Sequence, residues 1–210
     1  GALKTSEKLD TIGVFGKSVE AVALLAKVLI KKDLYDPATI HFAADEILEA
    51  SQKEPHFEPK FIFYKTDKWK NIDKESKNAF EFFLKKFKKN IEVFDVPGYF
   101  KEIPKHHQII HETDLANNFQ AYYKKDKKKL SKEMRDAIER GLKHSAYDYA
   151  NAIDFMEQSY QSYKEVFEHY HGVITPSASG VADKSLKSTG SADFQKIWTY
   201  MGLPTISLPL

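Results

Sequence analysis

At 210 residues, 42% of them hydrophobic and 13% aromatic, the chain is long and apolar enough to build one core, and it reads as globular rather than disordered. Its 32 basic and 30 acidic residues nearly cancel, and only Arg135 and Arg140 are arginines, the side chain suited to bidentate phosphate and base-edge contacts, so nothing in the charge points to a nucleic-acid partner. The absence of cysteine excludes disulfides, thiolate nucleophiles and cysteine-ligated metals; it accords with a cytoplasmic setting, and no membrane span is visible.

The elements are read in chain order as one domain over 1–210. After a turn at Asp10–Gly13, the apolar positions Val19, Val22, Leu25, Ala26, Leu29 and Ile30 recur at helical spacing, with Ser18 as N-cap and Lys31 and Lys32 at the far end. A second short helix is expected around 38–52, ended by Pro55 and Pro59. Lys60-Phe61-Ile62-Phe63-Tyr64 is a nearly continuous apolar run, as expected of a strand buried on both faces. Asp73 caps the next helix, with Phe80, Phe83, Leu84 and Phe87 on its buried stripe and a left-handed Asn90 as its stop. Ile91 to Val96 then returns as a strand, and strand, helix and strand of these lengths predict a parallel crossover.

A helix over 99–123 follows, then a solvated break at the Lys124 to Lys129 run, then a helix carrying Leu130, Met134, Ile138 and Leu142. From Tyr149 the series Ile153, Met156, Tyr160, Tyr163, Phe167 and Tyr170 alternates steps of four and three, which marks one seam of a helix of about 24 residues with hydroxyls at its rim. The last forty residues read as a strand around Ile174, a Ser/Gly loop, a helix with Phe194, Trp198 and Met201 on one stripe, and a second strand from Leu203 to Leu210. That closing segment is apolar where a terminus is ordinarily polar, so the chain is expected to be a piece of something longer.

His106, His107 and His111 with Glu112 and Asp114 suggest a metal site, but a His-Glu-x-x-His motif starting at His111 would need histidine where Leu115 stands; the reading taken is a surface or capping cluster with no metal. His169 and His171 stand at a helix end, where a cation is favourable without any function. The lysine run reads as a solvated face, and Ser177, Ser179, Ser185, Ser188 and Ser191 as loop hydroxyls that satisfy backbone groups, none with an evident activating base.

Two blocks carry a family resemblance. Leu9-Asp10-Thr11-Ile12-Gly13 with Gly16-Lys17-Ser18-Val19-Glu20, and then Ile174-Thr175-Pro176, Ser188-Thr189-Gly190, Trp198 to Pro204 and Ile206 to Pro209, resemble the part of the amidase signature family that follows its catalytic serines. The resemblance implies an incomplete amidase signature fold: α/β, with a mixed or mostly parallel sheet flanked by helices. It also implies, for an intact parent, hydrolysis of a small-molecule amide by a serine activated through a second serine and a lysine, without a cofactor. By resemblance Asp10, Thr11 and Gly13 support the active site, and Thr189, Gly190, Trp198 and Thr199 lie on the substrate-binding side. For Asp10 a plain turn-capping role stands beside that one, and Trp198 reads equally as core. Ala182-Asp183 departs from the Ala-Pro that many members carry after the Thr-Pro block.

The lysine and paired serines are absent from this sequence, which also has no Gly-Gly, Ser-Ser, Ser-x-x-Lys or Gly-x-Ser-x-Gly, so no catalytic residue is assigned and the chain alone is expected to be inactive. Two alternatives stand beside the amidase reading. One is a glutaminase-type subunit of a tRNA-dependent amidotransferase, for which Asp193 is the matching residue; the other is a noncatalytic interaction module built on half of the fold. An exposed sheet edge at the Ile174 or Ile206 strand is expected to drive self-association.

Overall fold

In a computed structural model, which describes residues 3–36, 38–39, 43–182, 184–185 and 189–209, the apolar run after Pro59 forms the central strand β1 (Phe61–Lys65). The expectations touching residues 40–42, Asp183, Ser188 and Leu210 lie outside the described residues. β1 pairs in parallel with β2 (Ile91–Asp95) on one side, from Phe61 opposite Ile91 to Lys65 opposite Asp95, and in parallel with β3 (Gly172–Ile174) on the other, in the order β2-β1-β3. The pleat sends alternate side chains to opposite faces. Phe63 meets Trp69 and Phe80 on one face, while Tyr64 meets Phe100 and Tyr163 on the other. Ile62, Phe63 and Tyr64 are all buried, as the continuous apolar run requires of a strand covered on both sides.

α3 (Lys74–Lys86) links β1 to β2 and begins where the Asp73 carboxylate accepts the Ser76 amide at 2.7 Å. Its stripe is shallower than the spacing suggests: Phe80, Phe83 and Leu84 are half-buried, Phe87 is exposed and no α3 side chain is buried. Asn90 does not stop the helix in a left-handed conformation, since among the described residues only Gly190 and Gly202 have positive φ. The helix ends at Phe87, whose amide still reaches the Phe83 carbonyl, and the Asn90 side chain instead donates to the Pro59 carbonyl at 3.1 Å, fixing the entry to β1.

The other face of the sheet carries α4 (Ile103–Asp126), α6 (Ala146–Lys164) and α7 (Lys196–Tyr200). Here Ile103, Ile110, Ala152, Tyr163, Trp198 and Tyr200 share one core with Ile62 and Tyr64. α4 runs through Lys124 and Lys125 before a short 3-10 turn at 127–129, because the Asp126 carboxylate accepts the Lys128 amide and holds the turn. α5 (Lys132–Gly141), capped by Ser131, packs on α4 around a second small core of Leu115, Ala116, Phe119 and Ile138; Leu142 lies beyond its end and is exposed. α6 opens with a reciprocal Ser145–Asp148 capping box and continues as a 3-10 turn over 165–168. Of the expected tyrosine seam only Tyr163 is buried, alongside Ala152 and Ser159; the hydroxyls of Tyr149 and Tyr170 find Asp114 and Glu92 at the rim.

Leu203 to Pro209 does not form the expected strand. Pro204 and Pro209 have no amide hydrogen, the Leu203 amide is already committed to the Trp198 carbonyl at 3.1 Å, and β3 is only three residues long. β2 and β3 are therefore both sheet edges among the described residues.

Residues 10–58 cluster as a compact unit of their own, apart from the unit of 1–9 and 59–210. Ser18 caps α1 (Val19–Leu29) as expected, accepting the Ala21 amide, and α2 (Ala44–Ser51) joins it through a Lys27–Asp45 ion pair at 2.7 Å. The backbone from Asp10 to Gly16 carries no turn; the turn lies earlier, at 7–9. Gly13 has neither a positive φ nor any atom within 4 Å of where a Cβ would stand, so nothing local bends the chain there.

Candidate functional site

α7 is a single helical turn and a half, and what ends it also aims it. The Gly202 amide donates to the Thr199 carbonyl and the Leu203 amide to the Trp198 carbonyl, a double closure that needs a left-handed residue, and Gly202 supplies it with φ +64. Phe194, Trp198 and Met201 are buried on one stripe, as their spacing predicts, and Tyr200 is fully buried.

Consecutive residues of α7 thereby face different clefts. Trp198 lines an apolar cleft of about 800 Å³ together with Phe83, Tyr163, Phe167, Ile174 and Leu203. Three buried polar atoms along it, Trp198 Nε1, the Tyr163 hydroxyl and Thr175 Oγ1, have no hydrogen-bond partner among the described residues. Burial raises the Tyr163 phenol far above its usual range, with smaller contributions from Tyr64 and Tyr99, so it stays a neutral donor.

Thr199 lines the second cleft, about 680 Å³, with Lys101, Lys105, His107, His111 and Lys196. The two imidazoles are one helical turn apart on α4 and stack with centroids 6.0 Å apart. Desolvation above all, then the neighbouring His111 and Lys196, brings the His107 pKa down to about 4. No group of three or more His, Cys, Asp or Glu side chains among the described residues is arranged to hold a metal.

The remaining members of the histidine and acid cluster have other tasks. His106 is buried and stacks on Phe155 at 4.4 Å. Glu112 is buried and accepts hydrogen bonds from Arg140 Nε at 2.7 Å and Gln108 at 3.0 Å, with His144 Nε2 at 3.3 Å. Asp114 accepts from the Ser6 and Tyr149 hydroxyls. His171 accepts the Lys60 amide on Nδ1 and so buttresses the start of β1. Sequence spacing shows the His107–His111 pair but not Lys196, which arrives from more than eighty positions away. Only the packing of α7 on α4 joins them.

Of the residues that the family resemblance points to, Trp198 and Thr199 lie on the two clefts, while Thr189 and Gly190 are exposed in the preceding loop and line neither. Gly190 has φ +80, a conformation that favours glycine. Asp193 holds Lys196 at 3.1 Å; its own amide donates to the Ser191 hydroxyl, and the contacts with Ser191 and Lys196 lower its pKa. Asp10, Thr11 and Gly13 are exposed, in a segment of the 10–58 unit that is neither helix, strand nor turn.

The architecture is that of an α/β protein with a parallel sheet covered by helices on both faces, three strands wide among the described residues. The family profile described as Amidase matches residues 1–210, so the chain belongs to the Amidase family. Solved structures share the fold. One is an amidase, with TM-score 0.69 and 15% identity over 99% of this chain and 48% of that one. Another is an inhibitor-bound complex connected with the origins of an s-triazine catabolic enzyme, with TM-score 0.76 and 13% identity over 94% of this chain and 44% of that one. A third is a bacterial aryl acylamidase of the amidase signature enzymes, with TM-score 0.62 and 14% identity over 89% of this chain and 43% of that one. The chain thus spans somewhat under half the length of these structures. No curated protein sequence matches it. No helix among the described residues is long and apolar enough to cross a membrane.

Proposed function

We propose that this chain is the portion of an amide hydrolase that lies after the catalytic serines, and that in the intact protein it shapes the substrate side of a site whose nucleophile other residues provide. The observation that carries this reading is the family match over the whole chain, joined to fold neighbours that continue for as much again. Asp10, Thr11 and Gly13 act as positioning residues in that reading, and Thr189, Gly190, Trp198 and Thr199 belong to its substrate side, with Trp198 the one of the four that lines the apolar cleft offered to a small-molecule amide. The apolar cleft lined by Trp198 and Thr175, whose buried Nε1 and Oγ1 have no hydrogen-bond partner among the described residues, supports it.

The chain by itself does not hydrolyse amides, because it has no serine–lysine arrangement to activate a nucleophile. Incubation with simple aliphatic and aromatic amides, in parallel with a fluorophosphonate serine probe, gives no turnover and no stoichiometric label. Turnover or labelling that a single Ser→Ala change abolishes overturns the reading.

The outer edge of β3, which pairs with no strand among the described residues, supports self-association through the Ile174 strand. Light scattering coupled to size exclusion reads it: mass rises with concentration and reverts when Val173→Pro removes an amide hydrogen from that edge. A concentration-independent monomer rules it out.

A further inference from the structure

We propose that the cleft between the first turns of α4 and the face of α7 that carries Lys196 and Thr199 binds a small oxyanion, the phosphate or carboxylate group of a small molecule. This goes beyond amide hydrolysis, shares only Thr199 with the substrate side proposed above, and concerns a site made entirely within the 59–210 part of the chain.

A lysine cluster alone says little in a sequence with 32 basic residues. What separates this cleft is its composition. Lys101, Lys105 and Lys196 line it with His107 and His111, and although the chain has 30 acidic residues, none of them is among those lining the cleft. Lys101 and Lys105, like most lysines of the chain, have no carboxylate within 4 Å among the described residues; what sets them apart is that they converge on one cleft. Lys196 is the exception within the cleft, held by Asp193 at 3.1 Å. That contact uses one of its three ammonium hydrogens and fixes the side chain at the wall.

The floor completes the case. His107, His111, Lys196 and Thr199 are half-buried, so an anion among them leaves bulk water and meets cations in a medium less screening than water. Thr199 lines the same cleft and brings a hydroxyl that can donate. Burial first, and then the neighbouring His111 and Lys196, lower the His107 pKa to about 4, so its protonated form is disfavoured; an anion seated beside the ring favours that form. The charged and titratable groups that bear on His107 are His111 on its own helix and Lys196 from α7, with Asp193 behind Lys196. Lysine is a point-charge ligand rather than a bidentate one, so several converging lysines with imidazole and hydroxyl donors suit a compact group with several acceptor oxygens.

The test follows the imidazole C2–H signals of the full chain by NMR, assigned with His107→Gln and His111→Gln. Sodium phosphate and sodium succinate are titrated separately, with sodium chloride at equal ionic strength as control. The expected result is a saturable shift confined to His107 and His111 and a rise in the apparent pKa of His107, because the anion favours the protonated ring. His171, which caps β1 instead, does not move. The Lys101→Ala, Lys105→Ala double variant, which changes only exposed side chains, weakens binding at least tenfold while far-UV circular dichroism stays unchanged. Response to phosphate alone assigns a phosphate ligand, response to succinate alone a carboxylate, and response to both a general oxyanion site. A response that matches chloride, or one that survives the double variant undiminished, overturns the proposal.

Discussion

The Tyr200 hydroxyl donates a 2.7 Å hydrogen bond to the main-chain carbonyl of Ala152, and both residues are wholly buried. This bond joins the short α7 to the middle of α6 and so fixes the element whose Trp198 and Thr199 line separate clefts. Tyr200→Phe keeps the ring but removes the donor. The expected loss is about 1–2 kcal/mol, read as a lower urea midpoint with unchanged slope.

Gly141 ends α5 against α4 at a distance no other residue tolerates. A Cβ there would lie 1.9 Å from the Glu112 carbonyl oxygen, and the obstacle is backbone rather than a side chain that can swing away. Gly141→Ala therefore forces the two helices apart. The cost expected for such overpacking is about 1–3 kcal/mol, measured by thermal unfolding; a melting temperature equal to the parent's would show that α5 shifts freely.

Glu112 is a carboxylate in a nearly closed site, its side chain 4% exposed. Burial pushes its pKa up, but hydrogen bonds from Arg140, Gln108 and His144 together outweigh burial and hold it below the usual glutamate value. Its folded pKa lies below its unfolded one, so it adds stability above the ordinary glutamate range near pH ~4.3, and that stability fades as pH falls through the folded pKa. Glu112→Gln should cost roughly 1–3 kcal/mol at neutral pH, with the gap to the parent closing under acid. A gap that stays constant from neutral pH to the acid limit would show that the carboxylate's charge is not what matters.

Phe63 on β1 and Phe82 on α3 differ sharply in burial. Phe63 is fully buried, edge-on to Trp69 at 5.3 Å and tilted against Phe80 at 5.7 Å, while Phe82 is 69% exposed. Phe63→Ala should cost about 3–5 kcal/mol as a core truncation, and Phe82→Ala should stay within about 0.5 kcal/mol of the parent. Phe83, which spacing alone places in the core, should fall between them, since it is only half-buried at the wall of the apolar cleft. Chemical denaturation of the three variants gives the order directly.

Much of this molecule is determined by local sequence. Ser18, Asp73, Ser131 and Ser145 start helices where they stand because a cap needs only its own side chain and an amide two or three residues on. The apolar run of β1 announces a strand covered on both faces for the same local reason, and the buried stripe of Phe194, Trp198 and Met201 follows from helical spacing. What packing decided lies beyond that range. Whether Leu203 to Pro209 becomes a strand depends on a partner edge and on amides that Pro204 and Pro209 do not have, so its apolar character did not suffice. Phe87 is exposed and Asn90 is turned to Pro59 because the neighbours of α3 and β1, not the helix period, set what is covered. The basic cleft depends on Lys196 meeting His107 although α5, α6 and β3 intervene in the chain, and the division of Trp198 from Thr199 depends on a helix aimed by Gly202 and tied down through Tyr200. Caps and periodicity are interactions between near neighbours in the chain; clefts are made by distant segments, and only the tertiary structure brings those together.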